Sequence, residues 1–374
     1  MKLGTIKGIG IKLHISTLLI VGLVGFYAAT FYSSFVENVS LIELIAVGII
    51  NGFIILFSIL IHELSHSLMA QRYGLKVSEI ELYLFGGVSK IEEEPRTPKS
   101  EFIISFVGPL SSILLGLIFL GTLFFSPFTY APWISITLLY SGISNIGLGI
   151  FNLLPAFPMD GGRVLRAYLW NRKKDLLSAT KTASRIGSFI GYGLMFLGFL
   201  QILFLGVLGG FWLILIGSFL SSSAKKSYIQ TVNDVALSKI SVKDLISIPK
   251  VTIPYETLVS EALKDYFMVY RESYFPVIRR NEIVGIVYLN DLLNIPPEDR
   301  QFIILGYVMR KASDFPAIRR EDNAKDVVRE FQHIDSKPHM VVVREHEDEE
   351  VIGFIGENEL NSALRFLNLT RSAS

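Results

Sequence analysis

Apolar residues run through the first 224 positions in long blocks, and after that they come only in short ones. Six blocks are each near the ~20 residues that a helix needs to cross a bilayer. They cover 15–34, 42–73, 101–125, 133–153, 184–204 and 207–223. This pattern predicts a polytopic α-helical membrane domain with six transmembrane helices. Between the second and third blocks, Val77 to Phe85 alternates partly, Gly86-Gly87 follows, and Val88 to Ile91 resumes. Alternation around a Gly-Gly pair predicts a small β-hairpin.

Charge orients the blocks. Lys2, Lys7 and Lys12 precede the first, and that first run is long enough to stay as a span rather than act as a cleaved leader. Arg72, Lys76, Lys90, Arg96 and Lys99 follow the second block, Arg163 to Lys174 follow the fourth, and Lys225 and Lys226 follow the sixth. The other three connections hold no Lys or Arg. The positive-inside rule then places both termini in the cytoplasm of a multi-pass plasma-membrane protein. Composition agrees, with 51% apolar and only 18% charged residues. A net charge of +1 gives no footprint for nucleic acid. The absence of cysteine excludes disulfides and thiolate metal sites.

Candidate chemistry sits where it is costly. The second block carries Ile61-His62-Glu63-Leu64-Ser65-His66. On a helix, His62 and His66 share a face one turn apart. Two imidazoles so spaced can grip one Zn²⁺, with Glu63 directed at a water on the metal. The bland alternative is a polar helix end just past the membrane. Ionisable groups inside a span are rare unless they serve a function. A catalytic zinc takes three protein ligands. The fourth block runs into Asn152-Leu-Leu-Pro155-Ala-Phe-Pro158-Met-Asp160-Gly161-Gly162-Arg163. Its prolines break the helix and its glycines permit a sharp return. Irregular backbone at that depth must line a cavity or be buried in protein. Asp160 is therefore the best third ligand, against a helix-capping role. Asn152 is a candidate for holding an oxyanion or substrate backbone, against an interhelical hydrogen bond. Gly86 and Gly87 belong either to a plain surface hairpin or to a sheet edge that holds an extended substrate. Gly108-Pro109 in the third block predicts a kink or close packing.

Together, His62 to His66, Phe85-Gly86-Gly87, Gly108-Pro109 and the Asn152 to Arg163 stretch resemble the site-2 protease family of intramembrane zinc proteases. The resemblance covers nearly all of residues 1–224. It implies that His62, His66 and Asp160 bind one Zn²⁺, that Glu63 is the catalytic base, and that the substrate is a transmembrane segment of another protein. The rival reading is a regulated transporter or cation channel with the same four residues lining a cation path.

Residues 225–240 read as a linker. Beyond them a helix–strand–strand–helix pattern occurs twice, over 241–300 and 301–374. The endings Gly285-Ile-Val-Tyr-Leu-Asn-Asp291-Leu and Gly353-Phe-Ile-Gly-Glu-Asn-Glu359-Leu make this cytoplasmic α/β module resemble a tandem CBS pair. That resemblance implies an adenine nucleotide site, with Asp291 and Glu359 as candidate contacts to a ribose. Tyr288 and Gly356 depart from the pattern, standing where a Thr or Ser often touches phosphate. A docking or homodimerisation role without ligand is the alternative.

Overall fold

The computed structural model describes residues 2–83, 86–91, 94–125, 131–205, 209–246, 251–332, 340–345, 350–357 and 359–361. The chain divides into two units, Met1–Thr231 and Val232–Ser374.

Among the described residues the first unit is built by α1 Thr17–Ser33, α2 Leu41–Arg72, α3 Pro98–Phe125, α4 Pro132–Asn152, α5 Asp160–Lys173, α6 Leu176–Leu205 and the greater part of α7 Gly209–Leu237, which runs on past Thr231. Among the described residues, four helices are long and apolar enough to cross a membrane: α2, α3, α4 and α6. The other two expected spans fall on α1 and α7. Helix α1 has 17 residues. At 1.5 Å per residue that is about 25 Å, short of a hydrocarbon core of about 30 Å. Helix α7 is long enough, but its apolar part stops at Leu220, where Ser221-Ser222-Ser223 and then Lys225 and Lys226 follow. Residues 225–237, read as linker, continue α7 as helix. The basic connection after α4 is also helical, as α5.

The helical unit is apolar outside and polar inside. Phe53, Phe57, Phe189, Phe196 and Phe204 are exposed, while Asn51, Thr137, Ser141 and Asn145 are buried. In water so much exposed aromatic surface would be a liability; against lipid it is the solvated face. Within the bundle the buried polar groups bond one another. Asn51 donates to the Thr137 hydroxyl (3.2 Å) and accepts from Ser141 (3.1 Å). Glycines let the helices touch. A Cβ built at Gly25 of α1 would lie 2.7 Å from the Gly48 carbonyl of α2, and one at Gly116 of α3 would lie 2.8 Å from the Gly142 carbonyl of α4. Helix α2 starts on a capping box, in which Ser40 and Glu43 satisfy each other's backbone N–H.

The hairpin belongs to a larger sheet. Strands β1 Lys2–Ile6, β2 Ile9–Leu13, β3 Val77–Tyr83 and β4 Gly86–Ile91 lie in the order β1-β2-β3-β4. The lysine-bearing leader thus folds as a hairpin, its two-residue turn taken by Lys7 and Gly8 at positive φ. Strand β2 then runs parallel to β3, pairing Ile11 with Ile80. Strands β3 and β4 are antiparallel, with Leu82 opposite Gly87 and Tyr83 opposite Gly86. Gly86 and Gly87 are strand residues, not the turn, which corrects the Gly-Gly turn reading. Residues 84–85, including Phe85, lie outside the described residues.

The second unit holds two sheets, β5 Ile253–Pro254, β6 Tyr274–Arg279, β7 Glu282–Tyr288 and β8 Arg310–Lys311 in one, and β9 Ala317–Arg319, β10 Met340–Arg344 and β11 Val351–Gly356 in the other. The two repeats exchange elements. Strand β8 pairs with β7 of the first repeat. Val242 and Leu245, which precede the first repeat's strands, sit in the core formed by Val327, Val341 and Ile355 of the second. Leu305 in turn sits in the first repeat's core, with Val259, Val277 and Val287. Residues 362–374, the expected tail, lie outside the described residues.

Candidate metal centre

Helix α2 brings His62 and His66 onto one buried face, as an i, i+4 pair must lie. Their Nε2 atoms are 3.2 Å apart. Asp160 closes the triangle, its Oδ2 lying 3.1 Å from His62 Nε2 and 3.2 Å from His66 Nε2. Among the described residues this is the one cluster of three or more His, Asp or Glu side chains whose ligand atoms converge.

The far side of each ring sets its orientation. His66 Nδ1 lies 2.6 Å from the Ile104 carbonyl. A carbonyl only accepts, so Nδ1 carries the proton and donates it. In the neutral ring Nε2 is then left with a lone pair aimed at Asp160. His62 Nδ1 is held in place by the Ser112 hydroxyl at 2.9 Å, a group that can donate or accept. The observed spacings suit a cation. Two imidazole nitrogens and a carboxylate oxygen packed at 3.1–3.2 Å can share one positive charge between them. For Zn²⁺ bonds of about 2.0–2.1 Å, ligands at tetrahedral corners stand about 3.3 Å apart. The two-His, one-carboxylate donor set with its outer hydrogen bonds fits a catalytic zinc site.

Asp160 arrives by an irregular route. After α4 ends at Asn152, residues 153–159 form a loop in which Ala156, Phe157 and Met159 are buried while Pro155 and Pro158 are exposed. Asp160 then opens α5, where a carboxylate also suits the positive end of the helix dipole. Gly161 and Gly162 do not make a left-handed turn; both are helical. They are needed because the loop doubles back on them. A Cβ at Gly161 would lie 2.2 Å from the Leu153 carbonyl oxygen, and one at Gly162 would lie 2.4 Å from the Phe157 nitrogen.

Glu63 is half-buried, and β4 crosses directly against it: a Cβ at Gly87 would lie 2.2 Å from Glu63 Cγ. A glycine in a strand often marks such a close approach. The same device recurs at Gly108, where a Cβ would lie 2.1 Å from His66 Nε2. This realises the close-packing reading of Gly108-Pro109, with a metal-ligand candidate as the neighbour. Asn152 behaves differently. Its Nδ2 donates back to the Leu148 carbonyl at 2.9 Å, within its own helix. No described hydrogen bond joins it to the triad.

Ser112 and the Ile104 carbonyl contact the two candidate histidines, and pattern reading misses both. A serine in an apolar helix and a backbone carbonyl carry no distinguishing signal. The clue available was the spacing Ile104, Gly108, Ser112, which puts all three on one face of α3.

In the second unit the two ribose candidates are both engaged. Asp291 accepts a bidentate pair from Arg310, at 2.9 Å to Nε and 3.1 Å to Nη2. Glu359 accepts from the Gly356 N–H at 2.9 Å and from the Tyr274 hydroxyl at 3.4 Å.

Residues 51–135 and 128–198 match peptidase family M50, and residues 242–298 match the CBS domain. Rip3 of Mycobacterium tuberculosis, whose name places it among zinc metalloproteases, is 32% identical over 322 residues, 86% of this chain and 82% of its own. The zinc metalloprotease MJ0392 of Methanocaldococcus jannaschii is 28% identical over 86% of this chain and 87% of its own. A solved site-2 protease from Methanocaldococcus jannaschii covers 61% of this chain and 94% of its own, at 31% identity and a TM-score of 0.41. Likeness to Rip3 along most of both chains, together with the matched segments around His62, His66 and Asp160, shows that the chain belongs to peptidase family M50.

Proposed function

We propose that this family M50 member is an intramembrane zinc endopeptidase that cuts a transmembrane segment of another protein, with His62, His66 and Asp160 as ligands and Glu63 as base. The observation that carries the reading is the convergence of His62 Nε2, His66 Nε2 and Asp160 Oδ2 at 3.1–3.2 Å. Bound there, Zn²⁺ supplies a Lewis acid that makes hydroxide available near neutral pH and polarises the scissile carbonyl. Glu63 takes the proton released from the attacking water and hands it to the leaving amide nitrogen. Ser112 and the Ile104 carbonyl hold the rings so that no imidazole has to turn during the reaction. The cation-path alternative loses its ground with the family assignment.

Substrate helices shield their own peptide bonds, so the segment must unwind to be cut. In the sheet order, β4 has one described neighbour, β3, and it passes beside Glu63. An unwound segment added along β4 would lie extended across the base. Gly86 and Gly87 then serve by leaving room for it, and Asn152 serves by turning its carboxamide from Leu148 to the substrate. The decisive assay measures zinc content and cleavage of a single-span substrate in proteoliposomes. One zinc per chain is expected, with cleavage abolished by a chelator and restored by Zn²⁺. Cleavage that survives complete zinc removal would end this reading.

We assign residues 1–224 to the protease domain and the remainder to a linker and the CBS repeats. The Lys- and Arg-bearing connections support a plasma-membrane protein with both termini and the CBS module in the cytoplasm. Adenine nucleotide control is a second reading, and here the geometry is unfavourable. Arg310 holds Asp291 in a charge-assisted fork, itself stacked over Tyr288 at 4.8 Å. Burial pushes the Tyr288 hydroxyl up to about 12, so it stays neutral. A ribose must displace that fork before it reaches Asp291. We therefore favour a docking or homodimer role, for which Met268, Val269, Phe302 and Tyr307 offer exposed apolar surface. Calorimetry of the full chain with AMP, ADP and ATP should find no dissociation constant tighter than about 1 mM. Micromolar binding would instead restore nucleotide sensing, and a monomeric mass in detergent would remove the dimer.

A further inference from the structure

We infer that the buried Glu101–Arg166 ion pair is a positioning device for Asp160, joining the helix that opens with this carboxylate to the helix that orients the two histidines. The inference rests on Asp160 being a zinc ligand. Glu101 lies on α3 and is 1% exposed; Arg166 lies on α5 and is 4% exposed. The guanidinium Nε and Nη2 both donate to Glu101 Oε1 at 2.5 Å.

Two features set this pair apart from an ordinary buried bridge. The first is its register. Glu101, Ile104, Gly108 and Ser112 are spaced three, four and four residues apart, so they form one stripe along α3. Along that stripe Ile104 accepts from His66, Gly108 makes room for His66, and Ser112 bonds His62. Glu101 continues the same stripe and grips α5. One face of one helix thus supports all three candidate ligands: the histidines directly, and Asp160 through its own helix.

The second is what Arg166 touches besides Glu101. Its guanidinium carbon sits 5.3 Å from the centre of the Phe157 ring, in the loop that delivers Asp160. Its Nη1 is 3.5 Å from the Thr231 hydroxyl of α7. Arg166 therefore ties loop, α5 and α3 at one point, six residues beyond Asp160. A buried ion pair is a poor source of stability, because apolar pairs of similar volume often replace one at no loss. What apolar packing cannot supply is the fixed direction of a guanidinium fork on a carboxylate. A short helix carrying a metal ligand at its first residue needs that fixed direction.

The test reads zinc affinity by chelator competition on the full chain in detergent, beside KM and kcat for a single-span substrate. The double variant Glu101→Gln/Arg166→Gln removes both buried charges together; Glu94, 3.8 Å from Arg166 Nη1, is part-exposed and keeps its solvent. Zinc affinity is expected to fall about 10–100-fold, the usual cost of losing an outer support of a metal ligand. Glu101→Asp keeps both charges and shortens the bridge by one methylene; it should weaken zinc several-fold without lowering the zinc-free unfolding midpoint. Wild-type zinc affinity in the folded double variant overturns the inference, and if that variant does not fold, wild-type affinity in Glu101→Asp does so alone. Failure of the ligand reading is distinguishable, because zinc would then persist in Asp160→Ala.

Discussion

Replacing Glu63 by Gln should leave the protein holding one zinc and nearly unable to cleave. The two side chains have the same shape, so Gln fills the place of Glu63, and His62 and His66 keep their outer bonds to Ser112 and the Ile104 carbonyl. Gln cannot accept a proton near neutral pH, so the water loses its base and the leaving nitrogen its acid. A positioned acid–base group contributes about 10²–10⁴-fold to rate, and that is the expected fall in kcat. Zinc content by elemental analysis and cleavage in proteoliposomes measure the two halves separately. Gly87→Ala should mimic the pattern more mildly, because its new methyl would overlap Glu63 Cγ at 2.2 Å and push the carboxylate aside. A Glu63→Gln protein that cleaves at the wild-type rate would show that another group is the base.

The parts legible in the sequence are those with a period or a motif. His62 and His66 follow from i, i+4 spacing, and Asp160 from the rule that broken backbone at membrane depth must be buried. Four of the six expected spans are helices long and apolar enough to cross. What hydropathy cannot see is a short hairpin that mixes lysine, glycine and isoleucine: within Lys2–Leu13, β2 pairs with β3 on one side and with β1 on the other, a tertiary arrangement. Helix α5 was hidden because its many charged residues looked like a loop. Gly86-Gly87 was misread because two glycines have the same signature in a turn and in a strand pressed by a side chain. Ser112, the Ile104 carbonyl and the Glu101–Arg166 pair act between segments far apart in the chain, and no local pattern announces such partners.

Those long-range partners lead to the second large effect, in which one added methyl should cost as much as a lost ligand. In Gly108→Ala the new Cβ would stand 2.1 Å from His66 Nε2, inside the space where that nitrogen meets Asp160. Helix α3 cannot retreat to make room. On its other side Gly149 of α4 is packed so closely that a Cβ there would lie 2.8 Å from the Pro109 carbonyl. The His66 ring must therefore swing away, breaking its 2.6 Å bond to Ile104 and turning its lone pair off the centre. Both the ligand and its outer support fail together, so zinc affinity should fall beyond the about 10–100-fold expected from losing the support alone. Asp160→Ala, which deletes a ligand outright, gives the reference loss. Metal content after dialysis against a graded series of chelators ranks the two variants against wild type. Helix content by circular dichroism should be unchanged, because Ala favours the α3 helix over Gly. A Gly108→Ala protein that keeps wild-type zinc would mean that His66 Nε2 does not point where a ligand must.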